Sequence, residues 1–123
     1  MASDNRLTFK EMCAEFDVTP RTLRYYEYIE LLSPERDGRA RYYHPREVAR
    51  MKLIMRGRKF GFSLEDIRQW LDLYDADPEN RVQMEAWIKL ADQQLGELDN
   101  RRKQIDESIA ELRALRDQVA KGL

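Results

Sequence analysis

The sequence predicts an all-α chain with a small β wing, in which a compact helix-turn-helix unit precedes a long coiled-coil dimerisation helix. Three features carry that expectation: helix starts marked by one recurring capping device, an aromatic hairpin signal between turn residues, and a four-and-three apolar repeat through the last third of the chain. With 123 residues and 42% hydrophobic content, the chain has room for one small domain and an appendage. The expected division is a domain over residues 1–75, a linker over 76–83 with Pro78 as its boundary, and a dimerisation helix over 84–121.

Thr8 opens the first helix as an N-cap, with Glu11 three residues on as the partner of a capping box and Leu7 placed to pack on Met12. Phe9, Met12, Cys13 and Phe16 follow at helical spacing, so Cys13 reads as a small buried hydrophobe. Thr19 caps the second helix and Pro20 occupies its first position, where a missing N–H costs nothing; Val18 and Leu23 form the matching staple. Two or three residues separate these helices, the spacing of a helix-turn-helix. Ser33-Pro34 and Asp37-Gly38 are turn signals, and "RARYY" between them and the next helix has the aromatic content of a strand, so a hairpin wing is expected. Pro45 begins a third helix with Val48, Met51, Ile54 and Met55 at helical spacing, and Gly57 and Gly61 mark its decay into a loop. Ser63 with Asp66 starts a fourth, whose stripe is Leu64, Ile67, Leu71 and Tyr74 with Trp70 alongside.

From Met84 the apolar positions step by four and three: Met84, Ile88, Ala91, Leu95, Leu98, Arg102, Ile105, Ile109, Leu112, Arg116, Val119. Nine of these eleven are apolar, the pattern of a coiled coil that cannot bury its seam alone. Arg102 and Arg116 interrupt the seam at equivalent positions and are expected to reach acids on the partner helix. Residues 80–100 carry 2 basic and 4 acidic side chains and residues 101–123 carry 6 and 4, so antiparallel pairing of two copies sets opposite charges together.

The net charge of −1 hides a polarity. Residues 1–61 hold 13 Lys and Arg against 9 Asp and Glu, and residues 62–123 hold 9 against 14. Between Arg36 and Lys59 nine basic residues face only Asp37 and Glu47, an electrostatic footprint for a polyanion or for an acidic protein surface. Winding "PRTLRYYEY" at about 100 degrees per residue places Leu23 and Tyr26 on one side and Arg21, Arg24, Tyr25 and Tyr28 on the other. A solvated face would carry Lys, Glu and Gln; exposed Arg and Tyr instead suit phosphate oxygens and the guanine edge.

Other chemistries lose ground on composition. One cysteine excludes an internal disulfide, and with one histidine, His44, it leaves no cluster for a soft metal or cofactor. No Gly-rich phosphate loop or nucleophile-base motif points to an enzyme. No apolar run approaches the roughly 20 residues of a membrane span. The polar start "MASDNR" lacks a signal-peptide core, so a cytoplasmic chain is expected.

The stretch "TPRTLRYYEYIELLSPERDGRARYYHPREVARMKLI" resembles the DNA-binding domain of the MerR family of bacterial transcription regulators. The resemblance covers about 70 residues and implies a winged helix-turn-helix with two wings, its second helix in the major groove of promoter DNA and its wings on flanking phosphates. By matching position, Arg21, Arg24 and Tyr25 are implied recognition contacts, Arg41 and Tyr43 belong to the first wing, and Arg56, Arg58 and Lys59 to the second. Thr22, Tyr28 and Arg39 complete the expected contact set. His44 stands where the family has a small helix cap and is read as a cap. The resemblance also implies an antiparallel homodimer that distorts a pseudo-palindromic promoter site to activate or repress RNA polymerase.

The chain ends at Leu123 without a further drug-binding domain or a cysteine pair near the helix end, so thiolate metal sensing is not expected. "KLIMRGRKFGFSLEDIRQWLDLYD" resembles short regulators of branched-chain amino-acid and acyl-CoA breakdown, which makes an acyl-CoA the candidate effector, although no residue pattern outlines a site for it. Two rival readings stand beside this one: an architectural, excisionase-like DNA-binding protein sharing residues 7–75, and a coiled-coil adaptor whose N-terminal domain binds protein.

Overall fold

The structure, a computed structural model, describes residues 5–75, 79 and 81–123, apart from the side chain of Tyr74. The expected Pro78 boundary, much of the 76–83 linker and the Tyr74 end of the fourth helix's stripe therefore lie outside the described residues. In chain order the elements are β1 (Leu7–Thr8), α1 (Phe9–Phe16), α2 (Pro20–Tyr28), β2 (Glu35–Asp37), β3 (Ala40–Tyr43), α3 (Pro45–Lys59), α4 (Leu64–Asp75) and α5 (Arg81–Lys121). They fall into two compact units, Met1–Glu79 and Asn80–Leu123.

The capping devices form as their residue types dictate. Thr8 Oγ1 accepts the Glu11 N–H at 3.2 Å while Glu11 Oε1 accepts the Thr8 N–H at 2.9 Å. The Thr8 N–H first, and the Thr8 hydroxyl second, hold the Glu11 carboxyl below its usual range. Thr19 Oγ1 accepts from Thr22 N at 3.1 Å, and Ser63 Oγ accepts from Asp66 N at 3.1 Å. Helix ends are equally local: Asp17 (φ 52°) and Glu30 (φ 64°) turn the chain left-handed after α1 and α2. Leu31 N–H then donates to Tyr26 O at 2.9 Å and Glu30 N–H to Glu27 O at 3.0 Å, the paired bonds of a Schellman closure.

The hairpin wing is present, with Gly38 at φ 61° in its turn, but it is one part of a three-stranded antiparallel sheet in the order β1-β3-β2. Leu7 pairs with Tyr43 and Thr8 with Tyr42. The residues read as a helix staple and cap thus also form a strand, a pairing made across more than thirty residues that no local pattern announces.

Met12, Leu23, Tyr26, Leu31, Leu32, Met51, Ile54, Ile67, Trp70 and Leu71 make the core of the first unit. Cys13, expected to be buried on the α1 stripe, is half-buried and free. Partial burial pushes its thiol pKa up, against the opposing charge of Arg24. Gly57 corrects another expectation. It lies inside α3, fully helical and buried, and a Cβ there would stand 2.6 Å from Ile67 Cγ1. Its role is the close approach of α3 to α4; the decay of the helix belongs to Gly61 (φ 84°), with Phe62 N–H donating to Gly57 O at 3.0 Å.

The loop between α2 and β2 is tied down by side chains from the later helices, which satisfy its backbone groups. Buried Glu47 accepts the Ser33 N–H at 3.0 Å, Arg50 Nε donates to Leu31 O at 3.1 Å, and Arg68 donates to Ile29 O. These bonds fix the C-terminal end of α2 against α3 and α4.

The second unit is α5, 41 residues and about 60 Å long, with no buried residue. It begins three residues before Met84, so 81–83, assigned to the linker, are helical. Among the described residues no helix is long and apolar enough to cross a membrane.

Candidate nucleic-acid interface

Helix α2 presents the face that winding at 3.6 residues per turn requires. Leu23 and Tyr26 point into the core, while Tyr25 and Tyr28 are 49% and 83% exposed and Arg21 and Arg24 are exposed between them. An open cleft of about 540 Å³ is lined by Arg21, Thr22, Arg24, Tyr25, Tyr26 and Tyr28 from α2, by Arg58 from the last turn of α3 and by Leu64 from α4. Six of the expected contact residues, Arg21, Thr22, Arg24, Tyr25, Tyr28 and Arg58, therefore converge on one surface. Arg56 and Lys59 share the last turn of α3 with Arg58, where cations also complement the helix dipole. The Arg56 guanidinium lies 5.9 Å from the Trp70 ring centre.

The wing is arranged differently from its expectation in two places. Tyr43 is 0% exposed, so it is withdrawn from the contact set. Its ring packs in the core and its hydroxyl donates to Glu27 Oε2. Burial, reinforced by that carboxylate, pushes its pKa far above the usual tyrosine value and keeps the hydroxyl a donor. His44 occupies the N-cap backbone position of α3 but makes no side-chain cap bond; its Nε2 lies 2.7 Å from Glu35 Oε2 instead. That bond holds the Glu35 carboxyl below its usual range, helped by Arg6 at 3.3 Å. The imidazole thus reaches a carboxylate on the adjacent strand, β2, and leaves the α3 cap without a side-chain bond.

Arg39 sits exposed at the tip of the hairpin. Arg41 is anchored: its Nε is 2.9 Å from Glu27 Oε1 and its guanidinium lies 5.2 Å from the Phe9 ring centre. Arg24 approaches the same ring to 5.3 Å. Sequence reasoning missed both Phe9, as a platform shared by α2 and the wing, and Glu27, as an acid that gathers wing arginines. The one signal available was an acid inside an arginine- and tyrosine-rich helix.

A face of this kind, arginine and tyrosine on a rigid helix with a second basic turn beside it, offers planar donors to phosphate and base edges. Residues 7–73 match the family described as MerR HTH family regulatory protein, and residues 48–121 match the family described as MerR, DNA binding. The chain belongs to the MerR family. It is a DNA-binding transcriptional regulator. It is 33% identical over 107 residues to the HTH-type transcriptional regulator ZntR of Escherichia coli (strain K12), a match spanning 85% of this chain and 70% of that protein. A MerR-family transcriptional regulator from Bacillus cereus shares the fold at a TM-score of 0.70 and 24% identity, over 85% of this chain and 75% of that one. HiNmlR, a MerR family regulator lacking the sensor domain and bound to promoter DNA, shares it at 0.64 and 19%, over 85% and 78%. Within the MerR frame, α2 is the second helix of the helix-turn-helix and the β2–β3 hairpin its first wing.

Proposed function

We propose that this regulator acts in the cytoplasm as a homodimer, joined through an antiparallel coiled coil of α5, on a pseudo-palindromic promoter site that it distorts to change how RNA polymerase engages. The observation that carries this reading is the convergence of Arg21, Thr22, Arg24, Tyr25, Tyr28 and Arg58 on one open cleft. In this reading α2 lies in the major groove, Arg39 and Arg41 hold phosphates on one flank, and Arg56, Arg58 and Lys59 hold them on the other. The dimer is supported by the seam of α5, where Met84, Ile88, Leu95, Leu98, Ile105, Ile109, Leu112 and Val119 are all exposed and Ala91 is half-exposed. Arg102 and Arg116 pair within their own helix, with Asp99 and Asp117, and are free to exchange these for partner acids on association.

Selection of binding sites from a random DNA pool tests the reading. A two-fold motif with a fixed centre is the expected result, and enrichment without symmetry would remove the dimer. Varying the length and sequence of the central spacer tests distortion, because deformation energy is read at base pairs the protein does not touch. An acyl-CoA is proposed as effector on the resemblance alone, and a change in promoter affinity on adding it is the check.

A further inference from the structure

Glu27 is an acid at the edge of a surface built for a polyanion. Its side chain is 4% exposed. Three groups from the wing converge on it: Arg36 Nη2 donates to Oε1 at 3.3 Å, the Tyr43 hydroxyl donates to Oε2, and the Arg41 guanidinium forms an ion pair, its Nε 2.9 Å from Oε1 without the alignment of a hydrogen bond. Arg36 lies on β2, Arg41 and Tyr43 on β3, and Glu27 on α2. One carboxylate therefore bonds both strands of the wing to the helix that carries Arg24 and Tyr25. Electrostatically it is misplaced for simple attraction, since a negative charge here repels phosphate and neutralises two nearby arginines. A group that opposes binding by its charge earns its place through geometry.

We propose that Glu27 is a positioning residue for DNA recognition: it fixes the first wing to α2, so that Arg41 meets phosphate in register with the base-reading side chains. This rests on the reading of α2 and the wing as the DNA-binding surface. Arg41 is held on two sides, by Glu27 at Nε and by the Phe9 ring against its guanidinium, and retains 25% of its side-chain surface open. A guanidinium immobilised in this way loses less rotamer freedom when a phosphate binds.

The test compares the full-length wild type with Glu27→Gln on a duplex carrying the selected site and on a scrambled duplex of equal length, across a salt series. Charge and positioning predict opposite signs. Positioning predicts that Glu27→Gln binds the selected site on the order of tenfold more weakly, with scrambled DNA bound as tightly as before or tighter. It further predicts that Glu27→Gln adds no loss of site preference in an Arg41→Ala background, since Glu27 acts through Arg41. Unchanged or tighter binding to the selected site, or losses that simply add, would overturn the proposal. If Glu27→Gln melts below the assay temperature, Tyr43→Phe, which keeps the ring and removes one bond to Glu27, decides: a reduced site preference supports the lock and an unchanged one overturns it. A wild type without site preference removes the underlying reading itself, whereas a wild type with preference that Glu27→Gln retains removes only the lock.

Discussion

The two units solve the same problem in opposite ways. The N-terminal unit closes its own core around Met12, Leu23, Tyr26, Met51, Ile54 and Ile67, whereas α5 buries nothing and displays its apolar seam along its whole length. The difference follows from geometry. Four short helices and a three-stranded sheet can surround a centre, while one straight helix has no second surface to pack against. What the first unit settles within a single chain, the second settles through association in the proposed dimer, and on that proposal the two should respond differently to the same class of substitution.

The largest break is expected from Leu98→Asp. A charge on the seam should give monomers by sedimentation and lower affinity for a two-fold site by about 100-fold or more, the scale of lost bivalency, while the first unit keeps its fold. A stable dimer in this variant would refute the seam. Leu23→Ala, by contrast, should cost about 2–5 kcal/mol of unfolding free energy by cavity formation, independently of protein concentration. Leu112→Ala sharpens the contrast, because its effect should shrink as concentration rises and the dimer is favoured. Gly57→Ala should destabilise by about 1–3 kcal/mol through overpacking against Ile67, measured by denaturant titration.

Smaller effects separate the parts of the DNA surface. Arg24→Ala should relax base preference and cost about 1–3 kcal/mol if it reads a base edge, and Arg41→Ala should weaken all sequences alike and lower the salt slope by about one. Identical behaviour of the two would dissolve the division between helix and wing. The smallest is a pH effect. The Glu35 pKa is lowered chiefly by its bond to His44, so its folded value lies below the unfolded one. Its contribution is present above the unfolded value and lost as pH falls through the folded value. His44→Ala should therefore leave a shallower acid-side fall in melting temperature.

Legibility tracked the range of the interactions. The helix starts at Thr8, Thr19 and Ser63 could be read because each cap uses residues three apart. The exposed arc of α2 followed from winding alone. Tyr43 was misjudged because an aromatic on a wing strand looks the same in sequence whether its hydroxyl meets a phosphate or a buried carboxylate sixteen residues away. Gly57 misled for a related reason, since glycine marks both chain breaks and close helix contacts. Glu27 was passed over because its three partners lie in other elements.

The sequence by itself determined the capped helices, the basic and aromatic face of α2, the hairpin turn and the unpartnered repeat of α5, all products of local propensity and periodicity. Tertiary structure alone decided that β1 joins the sheet, that α3 and α4 meet at Gly57, and that Tyr43, Arg36 and Arg41 gather on Glu27. The physical reason is that burial and ion pairing depend on which distant segments share a small volume, and that is set by the packing of the whole unit and by no single stretch of chain.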